Sequence, residues 1–191
     1  MSFPMRYFQL RDDMRIPGRW ILGDPLGEDN QEVTSWYFGE GRVLDGRSPL
    51  QLQQVHPGHA LDFSLTPLTL PVVHEKVVSL FSRLGLRQQV QFIPAHVEGQ
   101  SEPYFILNAH QVIRCIDDQR SERVDYWRPE DGNPEEVGQY RVVTGLRIDP
   151  SKVGDAQVFR PWGWYVALLV SEHLKHAMEQ EGLTGPRFIE V

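Results

Sequence analysis

Only two stretches of this chain carry the three-to-four-residue apolar period of a helix, and alternating segments bracket both. In "LPVVHEKVVSLFSRLG", Val73, Val77, Leu80, Phe81 and Leu84 recur at helical spacing and make one stripe. Pro71 suits the first turn and Gly85 the C-terminal stop. In "SEHLKHAMEQEG", Ser171 is placed to accept from a backbone N–H of the first turn. Leu174, Ala177 and Met178 form the stripe there, and Gly182 ends it. Elsewhere the pattern is that of strands. "HALDFSLT" puts Leu61, Phe63 and Leu65 on one face. "VQFIPAHV", "PYFILNAH", "QVIRCID", "YRVVTGLRID", "AQVFR", "WYVALLV" and "PRFIEV" follow, with "NAHQ" reading as a tight connection. The 16 glycines and 14 prolines favour many short elements joined by turns over a helical bundle. No internal repeat is evident. The expected class is α+β, a mostly antiparallel sheet with two principal helices packed against it. One domain is expected over residues 1–191. Within it, residues 1–58 are expected as a loop- and strand-rich N-terminal part and 59–191 as the sheet and helices; the first fifty residues, with turn signals at "IPGR", "GDPLGEDN" and "GEGR", read as short strands and loops wrapping something else.

Composition narrows the function. At 40% hydrophobic and 24% charged residues the chain is an ordinary globular one. A single cysteine, Cys115, excludes an internal disulfide framework, cysteine-based zinc sites and CxxC redox chemistry. No apolar run suits a signal-peptide core or a membrane span, so a cytoplasmic protein is expected. A formal charge of −7 disfavours direct nucleic-acid binding and would speed encounter with a basic partner.

The segment "FILNAHQVIRCIDDQRSERVDYW" gathers His110, Cys115, Asp117, Asp118, Arg120 and Ser121, which invites a catalytic reading. The chemistry resists it. A nucleophilic cysteine needs a nearby cation or helix N-terminus, whereas neighbouring aspartates raise its pKa. Successive strand residues point to opposite faces, an awkward placement for a catalytic carboxylate pair. Cys115 is therefore expected to be buried and structural, and the residues after it to form a polar turn that satisfies backbone groups. The pairs His56/His59 and His173/His176 lack a converging third ligand, and no histidine completes HExxH after His74. Walker, GxGxxG and GxSxG patterns are absent, and neither metal nor organic cofactor is expected. Two features stay open. "RPWGWYV" is either a binding hot spot or the rim of core packing. "WRPEDGNPEEVG" is expected as a surface loop between strands. It is either simply solvated or a contact surface, with Trp127 as anchor and Glu130, Asp131, Glu135 and Glu136 steering a basic partner.

In order and spacing, "PGRWILGDP", "PVVHEKVVSLF", "VQFIPAHVEG", "YFILNAHQVIRCIDDQRS", "YRVVTGLRIDPSKVGDAQVFR" and "VALLVSEHLKHAMEQEGLTGPRFIEV" resemble bacterial immunity protein family eleven, abundant in myxobacteria. The similarity runs from about Arg19 to the end and is strongest at Asn108, Cys115 to Ser121, Phe159 with Arg160, and "GLTGPRFIEV". The resemblance implies a non-enzymatic protein that binds and neutralises a cognate toxin encoded by the adjacent gene, protecting the producing cell and its kin. It brings no catalytic residues with it. The competing reading is a small cytoplasmic hydrolase or transferase using Asp117, Asp118 and His110 or His96. A deep pocket gathering histidine and carboxylate side chains would mark such an enzyme.

Overall fold

The computed structural model describes residues 4–27, 30, 31, 33, 41, 43 and 49–191. The expected turn at 39–42, Gly41 apart, and residues 28 and 29 of "GDPLGEDN" lie outside them. In chain order the elements are β1 (Tyr7–Asp12), β2 (Ile21–Leu22), β3 (Leu50–Leu52), β4 (Gln54–His56), β5 (Phe63–Leu65), β6 (Pro71–His74), α1 (Glu75–Arg83), β7 (Val90–Val97) and β8 (Tyr104–Ala109). Then come β9 (Val112–Ile113), β10 (Arg123–Tyr126), β11 (Tyr140–Thr144), β12 (Val158–Pro161), β13 (Leu169–Ser171), α2 (Glu172–Gln180) and β14 (Pro186–Glu190). The class is α+β, but the described strands form more than one sheet: two of five strands, ordered β3-β7-β8-β6-β5 and β14-β1-β13-β12-β9, and two of two strands, β2-β4 and β10-β11.

The two sheets repeat one plan. In the first, β5, β6, α1, β7 and β8 give the antiparallel order β7-β8-β6-β5. In the second, β12, β13, α2 and β14 give the antiparallel order β14-β1-β13-β12, with β1 in the place of β8. The topology thus holds a repeat that the sequence conceals, because its fourth strand comes from the other end of the chain. The strand-to-helix joints match in detail. His74 and Ser171 are the N-caps, accepting from the backbone N–H of Lys76 and Leu174, and Glu75 and Glu172 follow them. Both helices stop at a glycine followed by leucine. Leu86 N–H bonds Phe81 O (2.9 Å) and Leu183 N–H bonds Met178 O (3.3 Å), the bond that closes a Schellman motif.

Side-chain alternation builds the core. Phe8, Val158 and Val170 of one sheet and Val73, Leu107 and Ala109 of the other share a cluster with Val77, Leu80, Phe81, Leu174 and Met178 of the helices. The opposite faces are covered too. Trp20, Leu22 and Leu61 lie on Leu52, Val72, Ile93, Tyr104 and Ile106. Cys115, Ile116, Val143, Leu146 and Ile148 lie on Tyr7, Phe159 and Leu169. Strands buried on both faces read as continuous apolar runs.

Four expectations change. Pro71 and Val73 belong to a strand, so α1 starts at Glu75, and Leu84 is its exposed C-cap. The first fifty residues do not only wrap the rest, since β1 lies between β14 and β13. "QVIRCID" does not pair with "PYFILNAH". The chain leaves one sheet after Ala109, and β9 runs parallel to β12 in the other. In "WYVALLV" only Leu169 and Val170 are strand, while Trp164 and Tyr165 lie in the preceding turn.

Candidate protein-docking face

The turn "CIDDQRS" holds itself together. Asp117 Oδ1 accepts from the backbone N–H of Gln119 and of Arg120, each at 3.1 Å. Ser121 Oγ donates to Asp117 O (2.8 Å) and accepts from Arg147 N–H (3.0 Å), while Asp149 N–H donates to Cys115 O (2.8 Å). Cys115 is fully buried, and burial pushes its thiol up to about 12. A thiol so protected is neither nucleophile nor metal ligand at neutral pH. The segment that gathers cysteine, histidine and carboxylates is a structural turn.

Its one outward device is Asp118. The hydroxyls of Tyr140 (2.8 Å) and Tyr126 both donate to its carboxylate. These tyrosines are a cross-strand pair at the distal end of the β10–β11 hairpin, their rings 4.9 Å apart. Burial, then donation to Asp118, raises the pKa of both phenols. The clamp fixes the stem from which "WRPEDGNPEEVG" emerges.

That stretch is the expected surface loop between strands, and it is ordered by its own bonds. Trp127 N–H donates to Gln139 O (2.9 Å) and Gly138 N–H to Trp127 O (3.1 Å), which closes the neck. Within it lie two short 3-10 turns, Pro129–Asp131 and Pro134–Glu136. The four carboxylates differ in their commitments. Asp131 accepts from Arg128 N–H (2.9 Å) and pairs with Arg141 (2.9 Å), so it serves the loop's own structure. Glu130 stands 3.9 Å from Arg128, both exposed. Among the described residues no cation pairs with Glu135 or Glu136, and Val137 beside them is 41% exposed. Trp127 is half-buried, with the Arg141 guanidinium 5.2 Å from its ring centroid.

The turn of "RPWGWYV" lies against this hairpin, since Tyr140 N–H donates to Gly163 O (3.1 Å). Arg160 organises that turn from beneath. The residue is 2% exposed, and its guanidinium donates to Tyr165 O (2.6 Å) and Ala167 O (3.4 Å). Burial without a carboxylate pulls its pKa down to about 10. Trp162 and Trp164 remain half-buried at the surface. Local sequence pattern shows neither Asp118 as a clamp, nor the Tyr126–Tyr140 pair, nor Arg160 as the anchor of the turn. A hairpin register drawn across the loop would have placed the two tyrosines opposite each other.

The residues of the enzymatic reading do not converge into a reactive group. Asp117 and Asp118 are occupied as described, His96 is exposed on β7 in the other sheet, and His110 is half-buried where the chain crosses between sheets. A cleft of about 360 Å³, lined by Gln9, Arg11, Thr69, Thr144, Trp164 and Val166 among others, has neither histidine nor carboxylate in its wall. His74 does stand between Asp62 (3.9 Å) and Glu102 (3.2 Å). Its Nδ1 accepts from Lys76 N–H (3.2 Å), so that nitrogen has no proton to give Asp62, unlike the histidine of a triad. Among the described residues no three His, Cys, Asp or Glu side chains are grouped to hold a metal. His56, His59, His173 and His176 are exposed.

No helix among the described residues is long and apolar enough to cross a membrane. No curated protein matches the chain. The family model described as Immunity protein family (Imm11) matches residues 2–191, nearly the whole chain, and the protein belongs to that family.

Proposed function

We propose that this protein binds and neutralises a cognate toxin of a polymorphic system in the cytoplasm, without catalysis of its own, and that the "WRPEDGNPEEVG" loop meets the toxin. Family membership supports the toxin partner. The observation that carries the interface is the closed, self-bonded loop with Glu135 and Glu136 at its surface, unpaired among the described residues. A loop already ordered loses little conformational freedom on docking. Two unpaired carboxylates beside the exposed Val137 suit a basic surface with an apolar spot. Trp127 and Asp131 support the loop from within, and Glu130 lies at its rim. Among the described residues, the Asp117, Asp118, His96 and His110 of the alternative hydrolase or transferase are not gathered in one place.

The test uses the toxin domain encoded by the adjacent gene. Charge reversal at Glu135 and Glu136 should slow association at low ionic strength, and the difference should shrink as salt is added. An unchanged association rate, in a variant whose circular dichroism matches the parent, would remove this loop from the interface.

A further inference from the structure

We infer that Arg114, laid flat on the ring of Trp162, is a ready-made receptor for a carboxylate of the toxin. The docking face would then read both signs of charge, not positive charge alone. This rests on the immunity reading above. The Arg114 guanidinium carbon lies 3.6 Å from the Trp162 ring centroid, a stacking distance. Arg114 is exposed, and among the described residues no carboxylate lies within ion-pair reach of it. Two arginines of the β10–β11 hairpin are different. Arg141 also lies over an indole, but Asp131 holds it at 2.9 Å, and Arg123 is paired with Asp125.

Stacking fixes the guanidinium plane and leaves its N–H edges free, the geometry that grips a carboxylate with two parallel bonds. The platform beneath is itself held. Trp162 N–H donates to Ile113 O (2.8 Å), and Arg160 pins the turn that follows. Gly163 O receives the N–H of Tyr140, so the turn that carries Trp162 adjoins the stem of the acidic loop. Tryptophan and arginine together are the residues that most often dominate binding energy, and here the ordering cost is already met in the free protein. The occupant is therefore a toxin surface with an Asp or Glu set beside the Lys or Arg that meets Glu135 and Glu136.

The experiment measures binding of wild type, Arg114→Ala, Arg114→Lys and Trp162→Phe to the toxin domain encoded by the adjacent gene. Arg114→Ala should weaken affinity about tenfold or more, through faster dissociation. Arg114→Lys should recover little of it, because the charge returns without the fork. Salt should change this loss less than it changes the effect of Glu135 and Glu136. Wild-type affinity in Arg114→Ala or in Arg114→Lys, when wild type does bind, overturns this inference and leaves the immunity role standing. Failure of wild type itself to bind that domain overturns both. Trp162→Phe keeps an aromatic face and should lose less than Arg114→Ala; the reverse order would count against the stacked geometry.

Discussion

Replacing Gly185 by alanine strikes the seam between the two sheets. Gly185 has φ +103°, and a Cβ there would overlap the Phe63 carbonyl oxygen and stand 3.0 Å from its carbon. The obstacle is backbone, so no side-chain rotation relieves it. The seam's bonds lie around the same point. Phe63 N–H donates to Thr184 O (3.0 Å), Asp13 N–H to Gly185 O (2.7 Å), Asp62 N–H to Thr184 Oγ1 (3.0 Å) and Thr184 N–H to Asp62 Oδ2 (2.9 Å). The backbone conformation alone costs an L-residue about 1–2 kcal/mol. Parting β5 from residue 184 forfeits two or three of these bonds at about 1 kcal/mol each. The total is about 3–5 kcal/mol, a large share of the ~5–15 kcal/mol that keeps a domain folded. Urea unfolding followed by tryptophan fluorescence and circular dichroism measures it. Gly132→Ala is the control, since Gly132 is also left-handed (φ +81°) with nothing within 4 Å of its would-be Cβ. That control should cost only the backbone part. A Gly185→Ala protein within about 1 kcal/mol of its parent would refute the packing described for this seam.

Cys115 should resist thiol reagents in native buffer at about pH 8, where an ordinary cysteine is partly ionised, and react on unfolding in urea; rapid native labelling would contradict its burial. Cys115→Ser should cost about 1–3 kcal/mol through a buried hydroxyl, yet leave protection intact in protein that stays folded. Burial alone would raise the Asp62 carboxyl, but donation from the Thr184 amide, Lys76 and the Thr184 hydroxyl outweighs it and holds the group below its ordinary 3.8. The unfolded chain therefore takes up this proton first as pH falls. The stabilisation from Asp62 is full well above about pH 4 and is lost as pH drops through the native value. Asp62→Asn should flatten the decline in stability between about pH 5 and pH 3, and an unaltered slope would count against this role. Asp118→Ala releases two tyrosine hydroxyls at a largely exposed site and should cost about 1 kcal/mol, with faster amide exchange across residues 127–139. Unchanged exchange there would mean the clamp does not order the loop.

The second helix was legible residue by residue, from its Ser171 cap to its Gly182 stop, because one face is buried and the other solvated. The start of the first is not legible from periodicity. Pro71 to His74 is buried on both faces, and a short, doubly buried strand has no period to separate it from a helix stripe. His74 as N-cap hid the boundary further, since Ser, Thr, Asp and Asn are the usual signals. The pairing of β9 with β12 was beyond local reading, because the partners are far apart in sequence while β8 is adjacent. The duplicated plan stayed hidden for the same reason, with β1 standing in for a strand that would follow β14. At the docking face, composition located the loop but not the division of labour within it. That Asp131 works inward depends on Arg141, ten residues on and across the hairpin. The closing "GLTGPRFIEV" is explained by the seam at Gly185, and "VFR" by the turn that Arg160 holds.

Protection of living cells tests the central claim most directly. The adjacent gene's toxin domain is produced from an inducible promoter, with and without this chain, and growth is followed. Growth should stop with the toxin alone and return when the chain is co-produced. The returned growth should be lost again in a folded variant carrying Arg114→Ala, Glu135→Lys and Glu136→Lys together. A toxin that halts growth equally whether or not soluble, folded wild-type chain is present in excess would contradict the proposal that this protein neutralises it.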